Sequence, residues 1–292
     1  MMLRLAGLLA LLPAAPLWGQ SVPLVDTEDA TLSSVSVGGG WGGGGMHPIL
    51  TLDVRNGDYA RATYDQDGPG LDRVSVHIGI GLAVVLDRDG AGRGRWFLTG
   101  QSSNGFHAPS PGERSRPRAF YESNTIAALA WRPVEGLTAA LAYAVKTSPN
   151  GVDPTTQEAS VTMAWTGKDA LGDLGPNIVV TRRTQGDGGF FTLASLSPSQ
   201  KLGEGEDAAQ LSLPLAFGMG WDGFYGEGLG DRAYGSAGFA LSQPLTLGGA
   251  KATLRAEILA LIRDGALAAS EAPNATSDRI IPLATLSLRM GW

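Results

Sequence analysis

Residues 73–87 read RVSVHIGIGLAVVLD, and the spacing within this stretch decides the fold. Val74, Val76, Ile78, Ile80, Leu82, Val84 and Leu86 share one parity without a miss. The other parity carries Ser75, His77, Gly79, Gly81, Ala83 and Val85, most of them small or polar. A strand turns successive side chains to opposite faces, so one face here is oily; a helix would scatter the same residues around its circumference. Leu211, Leu213, Leu215, Phe217, Met219 and Trp221 repeat the pattern, as do Leu137, Ala139, Leu141, Tyr143 and Val145. So do Ala252, Leu254, Ala256, Ile258, Ala260 and Ile262. These stretches reach the roughly 9–11 residues that a tilted bilayer-crossing strand needs, beyond the about five or six of an average soluble strand.

Composition points the same way. Glycine supplies 42 of 292 residues, and charged residues are only 17% against a hydrophobic share of 43%. Ordinary globular domains carry about a quarter charged residues. Cysteine is absent, which excludes a disulfide framework, a thiolate metal site and a lipidated N-terminal cysteine. A net charge of −6 leaves no basic footprint, so nucleic acid is not an expected partner.

The first nineteen residues read as a signal peptide. Arg4 supplies the positive end, residues 5–17 an apolar stretch broken by Pro13 and Pro16, and Gly19 a small residue at the expected cleavage point, with Ala15 as the alternative. Residues 20–292 then form a single domain. Beyond residue 20 no run approaches the about 18 apolar residues of a membrane helix, so any crossing must be a closed barrel.

The expected fold is all-β, a transmembrane antiparallel up-and-down barrel of about twelve strands. Eleven strand-like spans are legible between residues 73 and 292, and residues 31–64 must add one to make the count even. Three strands there would give fourteen. Connections alternate between compact (87–94, 132–136) and long (102–118, 147–157, 264–278), as short periplasmic turns and longer outer loops do. Residues 166–176 and 197–207 fall on the short side without being short.

The chain stops on an aromatic. Leu286, Leu288, Met290 and Trp292 alternate with Thr285, Ser287, Arg289 and Gly291. This ending resembles the closing strand of Gram-negative bacterial outer-membrane β-barrel proteins. The resemblance implies that Leu286, Leu288, Met290 and Trp292 form the signal read by the barrel-assembly machinery. It further implies a protein of the bacterial cell outer membrane, surrounded by outer-membrane lipids.

Catalytic signals are thin. His47, His77 and His107 share no metal-ligand spacing, so no metal and no cofactor are expected. Gln101-Ser102-Ser103-Asn104-Gly105 bears a faint likeness to the active-site segment of outer-membrane phospholipase A, whose family places a histidine two residues before its serine. Ser103 would match the nucleophile, but Gln101 stands at the base position and accepts no proton. Gly79-Ile80-Gly81 lacks the third glycine of a dinucleotide loop and sits within a strand.

Charges inside strands are more informative. An arginine facing lipid near the midplane costs roughly 2–4 kcal/mol. Arg182, Arg255, Glu257 and Arg289 are therefore expected to face the lumen as a charge network, joined by Asp53, Arg55 and Lys146. Trp41, Trp96, Trp131, Trp165, Trp221 and Trp292 fall near strand ends, where aromatic girdles sit. The leading expectation is a porin-like narrow channel for a small solute or ion, or a structural barrel, in either case without catalysis. The alternatives are an outer-membrane lipid hydrolase and a secreted soluble β-sandwich that binds sugar or protein.

Overall fold

The computed structural model describes residues 20–41, 45–67, 71, 73–88, 94–109, 118–166, 170–186, 188–205, 207–270 and 277–292. The expected signal segment, 1–19, lies outside them. Its strands are β1 (Gln20–Val25), β2 (Leu32–Val37), β3 (Met46–Arg55), β4 (Asp58–Ala60), β5 (Thr63–Asp67), β6 (Ser75–Arg88), β7 (Gly94–Phe106), β8 (Phe120–Val134) and β9 (Leu137–Thr147). They continue with β10 (Thr156–Trp165), β11 (Asn177–Gln185), β12 (Phe190–Leu196), β13 (Ser199–Lys201), β14 (Gln210–Ser212), β15 (Leu215–Trp221), β16 (Arg232–Leu247), β17 (Ala250–Arg263) and β18 (Ile280–Gly291).

Twelve of these close into an antiparallel ring in the order β3, β6 to β12, β15 to β18, with β18 bonded back to β3. Closure leaves no sheet edge, which a bilayer requires and a sandwich does not provide. The soluble sandwich is overturned by this ring. Residues 46–55 supply the twelfth barrel strand; the rest of the 31–64 region pairs elsewhere, so fourteen wall strands are also excluded.

The alternation read in β6 sets the wall's polarity. Ser75, His77 and Ala83 are buried inside, whereas Ile78, Ile80 and Leu82 stand exposed outside. Around the ring Leu141, Ile178, Phe217, Phe239 and Ile258 are likewise exposed, so the outer surface is an oily belt. Such a contiguous apolar surface is far larger than a water-exposed monomer tolerates.

The ring has two unlike ends. At the end where the chain stops, β8 and β9 are joined by two residues and β16 and β17 by Gly248-Gly249. Trp41, Trp96, Trp131, Trp165 and Trp292 cluster at this turn end, and Trp96 stacks on Trp131 with centroids 5.5 Å apart. The opposite, loop end carries the longer connections, Trp221, and helix α2 (Gly265–Ser270). The two long connections on the turn side have structural causes. Residues 166–176 hold helix α1 (Ala170–Leu174). Residues 197–214 extend the wall as the β13–β14 hairpin, where Pro198 and Pro214 interrupt the ladders. β16 is long enough to pair with β15 up to Ala237 and with β14 from Ala240. Gly238 sits at the change of partner, where a Cβ would lie 2.0 Å from the backbone oxygen of Ile258.

Candidate functional site inside the barrel

Two hairpins enter the lumen. From the turn end, β1 and β2 rise along the inside wall, β1 against β7 and β2 against β18 and β17. Their turn is self-bonded: Glu28 N donates to Asp26 Oδ1 (2.8 Å), Thr31 N to Asp29 Oδ1 (3.0 Å), and Asp26 N to Thr31 O (2.9 Å). Val22, Leu24, Val25, Leu32, Val35 and Val37 are buried against the inner face of the barrel. That face is lined by Ala128, Ala130, Ala140, Ala142 and Ala144 on β8 and β9. Alanines are too short to fill a lumen of this width, and the hairpin's larger side chains occupy the room they leave. Burying each valine or leucine contributes about 1.5–3 kcal/mol against exposure.

Polar contacts fix the hairpin's height. Arg132 Nη1 donates to Ser21 O (3.0 Å), Asn177 Nδ2 to Leu32 O (2.8 Å), and Arg289 Nη1 to Ser33 Oγ (3.0 Å). At its tip Lys146 Nζ donates to Glu28 O (2.5 Å), and Glu28 pairs with Arg55 (2.5 Å). Burial raises the Glu28 carboxyl above its ordinary value, although Arg55 pulls the other way; burial also raises Asp29.

From the loop end, β4 and β5 turn inward and meet this tip. Arg61 and Ala62 make the turn with positive φ (52° and 68°). The Arg61 guanidinium crosses the lumen to Glu158 on β10, donating from Nη1 to Oε1 (2.7 Å) and from Nη2 to Oε2 (2.8 Å). It lies 4.7 Å from the Phe191 centroid and 5.4 Å from that of Phe224. Lys146 (3.7 Å) and Arg183 (3.6 Å) also face Glu158. Arg263, fully buried on β17, donates to Ala62 O (3.3 Å).

The other flank of this hairpin forms a second polar centre. Asp58 Oδ1 accepts from Arg55 (3.2 Å), and its Oδ2 lies 3.1 Å from His77 Nε2 and takes a hydrogen bond from the Tyr121 hydroxyl. Tyr121 also contacts His77 Nε2 (2.6 Å) and stacks on His107, with centroids 4.1 Å apart. His77 Nδ1 stands 3.8 Å from Glu122, which Asn124 hydrogen-bonds. Burial alone would raise the Asp58 carboxyl. The charge and hydrogen bond of His77, then Arg55 and Tyr121, outweigh it and hold Asp58 well below the usual carboxylate range.

No family model matches the chain, and no curated protein matches it. Solved structures resemble it in fold. A structure of the NanC porin is 10% identical over 84% of this chain and 98% of its own, with a TM-score of 0.46. A bacterial polysaccharide outer membrane secretin is 10% identical over 84% of this chain and 97% of its own (TM-score 0.44). The translocator domain of the autotransporter NalP from Neisseria meningitidis is 10% identical over 86% and 89% (TM-score 0.41). These neighbours are outer-membrane barrels, and the likeness is one of fold alone.

Between the β1–β2 hairpin and the wall of β3, β17 and β18 lies a cavity of about 610 Å³. Three of the four residues expected to form a lumen network line it. Arg255 pairs with Glu257 and reaches Ser212 and Ser242 (3.4 Å each), while Arg289 holds the hairpin. Asp53 pairs with Arg55 (3.4 Å) on the same wall. Arg182 is elsewhere. Asn177, Val179 and Thr181 are the inward positions of β11, so Arg183 continues that row and Arg182 points outward, 5.1 Å over the Phe190 ring. It lies three residues from the loop-end terminus of β11, close enough for its long stem to carry the charge to the rim.

Ser103 and Gln101 are both buried on the inner face of β7, away from the outer belt, and among the described residues no histidine bonds Ser103. Sequence reasoning missed Asp58, Arg61, Tyr121, Glu158 and the whole inner hairpin. Two signals were present. VPLV and LSSVSV flank the polar turn DTEDAT, which is a hairpin pattern. The inward rows of β8 and β9 run largely to alanine (Ala128, Ala130, Ala140, Ala142 and Ala144), which leaves room that something else must occupy.

Proposed function

We propose that this protein is an outer-membrane barrel whose narrow, porin-like passage is held shut by its own two hairpins, and that it has no catalytic role. The observation that carries this reading is the meeting of the β1–β2 tip and the β4–β5 hairpin inside the ring toward its loop end, bridged by Arg55 between Glu28 and Asp58. A twelve-strand ring is narrower than the about 16–18 strands of open porins, so two hairpins suffice to block it. The oily belt faces outer-membrane lipids, with the turn end in the periplasm and the loop end outside. Leu286, Leu288, Met290 and Trp292, on or just past the strand that closes the ring, fit a signal read by the assembly machinery. The passenger is a small solute or ion that the charged wall of the cavity admits. The buried Ser103, with Gln101 beside it, gives lipid hydrolysis no support.

Planar-bilayer conductance tests the reading. The refolded full chain is expected to be silent or nearly so, and removal of residues 20–37 to raise conductance in discrete steps. A sealed membrane at all voltages for both forms would reject the passage and leave a structural barrel.

A further inference from the structure

Asp58, His77 and Glu122 are all buried, and one ligand atom from each lies within 4.8 Å of the others. They come from the inward loop hairpin, β6 and β8, so no sequence spacing announces them. We infer that this cluster is a divalent cation site, with zinc as the ion its chemistry fits, and that the ion would tie the β4–β5 hairpin to the barrel wall.

Four observations support it. First, the donor atoms are nearly in place. His77 Nε2 is 3.1 Å from Asp58 Oδ2, and Nδ1 is 3.8 Å from Glu122 Oε2. Ligands about 2.0–2.2 Å from a tetrahedral zinc stand roughly 3.3–3.5 Å from one another, so Asp58 already stands near that spacing from Nε2, and Glu122, within 4.8 Å of the other two ligands, must close in toward it from the Nδ1 side. Second, an outer layer of donors already orients the carboxylates: Arg55 and Tyr121 hold Asp58, and Asn124 holds Glu122. Metal sites rely on such a layer to fix ligand geometry. Third, Asn124 is buried beside Glu122 with its Oδ1 lacking a hydrogen-bond partner among the described residues. An unused buried oxygen at this point is costly unless something electropositive, such as an ion or its bound water, comes to it. Fourth, a cavity of about 440 Å³ extends from the β9–β10 loop to one of the three ligands, Glu122, and to Tyr121 and Asn124 beside it.

One imidazole with two carboxylates selects a borderline or hard divalent ion over copper(I), which prefers sulfur. Seated on Nε2, the ion replaces the proton that His77 and Asp58 share and displaces the Tyr121 hydroxyl from its place 2.6 Å from that nitrogen.

The test is zinc titration of the refolded full chain in detergent, followed by calorimetry and by thermal unfolding. One zinc per chain and a higher unfolding temperature with zinc are expected, because an ion that binds only the folded form stabilises it. His77→Ala should weaken binding at least about 100-fold and Glu122→Gln at least about 10-fold, the range that outer-layer losses alone already reach. Arg182→Ala, on the outer face, should change nothing. Absence of stoichiometric uptake by the unaltered chain would overturn the site, as would equal uptake by His77→Ala. Should His77→Ala fail to refold, as judged by its gel mobility with and without heating, Glu122→Gln decides by the same measure. Uptake is read without conductance, so the result is independent of whether the barrel passes solute.

Discussion

Replacing Arg61 by alanine should loosen the loop hairpin more than any other single change in it. Arg61 and Glu158 are a two-pronged ion pair (2.7 and 2.8 Å) whose side chains are 4% and 2% exposed. Breaking a buried pair from one side costs about 3–5 kcal/mol, because the remaining charge is left in a poor solvent. Here Lys146 and Arg183 stay within 3.7 Å of Glu158, so the low end of that range, about 3 kcal/mol, applies. At about 1.4 kcal/mol per factor of ten, the population with the β4–β5 hairpin withdrawn rises roughly 100-fold. Limited proteolysis under conditions where opening is faster than cleavage reads that population, with cutting expected between residues 56 and 67. The double variant Arg61→Met, Glu158→Met should cut close to the original rate, since an apolar pair of similar volume is often neutral. Equal protection of Arg61→Ala and the unaltered chain would refute the idea that this pair holds the hairpin.

Acidification should tighten the plug. Glu28 and Asp29 have carboxyls raised by burial, so the seated hairpin favours their protonated forms. That stability is complete below the ordinary values, 4.5 for Glu28, and is lost as pH rises through the raised ones. Asp58, held low, contributes the opposite way, but only at pH values below this window. What little conductance the full chain retains should therefore fall as pH drops from neutral toward 4.5, and the appearance of conductance on acidification would contradict it. Gly218→Ala should destabilise the barrel by about 1–3 kcal/mol, as overpacking does. The added carbon would lie 2.2 Å from the Tyr234 ring, and urea unfolding in detergent measures the loss.

The wall was legible because its physics is local. In β6 and β17 one face meets oil and the other the lumen, so alternation survives with little exception, and Arg255, Glu257 and Arg289 could be sided from their neighbours. Arg182 could not: no inward position on β11 had been fixed, and rim arginines escape the cost that applies at the midplane. The interior was less legible because its residues serve the lumen, where apolar and polar side chains both find partners. β1 is buried on both faces, and β2 turns Val35 and Val37 to the wall and Ser34 and Ser36 to a cavity, so neither strand shows an oily side that distinguishes plug from wall. Asp58, His77, Glu122 and Arg61 meet only after the ring closes and the loop folds in, and their sequence spacing carries no trace of that.

Hydrogen–deuterium exchange of the refolded full chain tests the central claim most directly. The account predicts that amides of β1 and β2 exchange as slowly as those of wall strands β8 and β9, being paired to each other inside a closed ring. Exchange of residues 20–37 at the rate of an unstructured tail, while the wall stays protected, would mean an empty lumen and would contradict it.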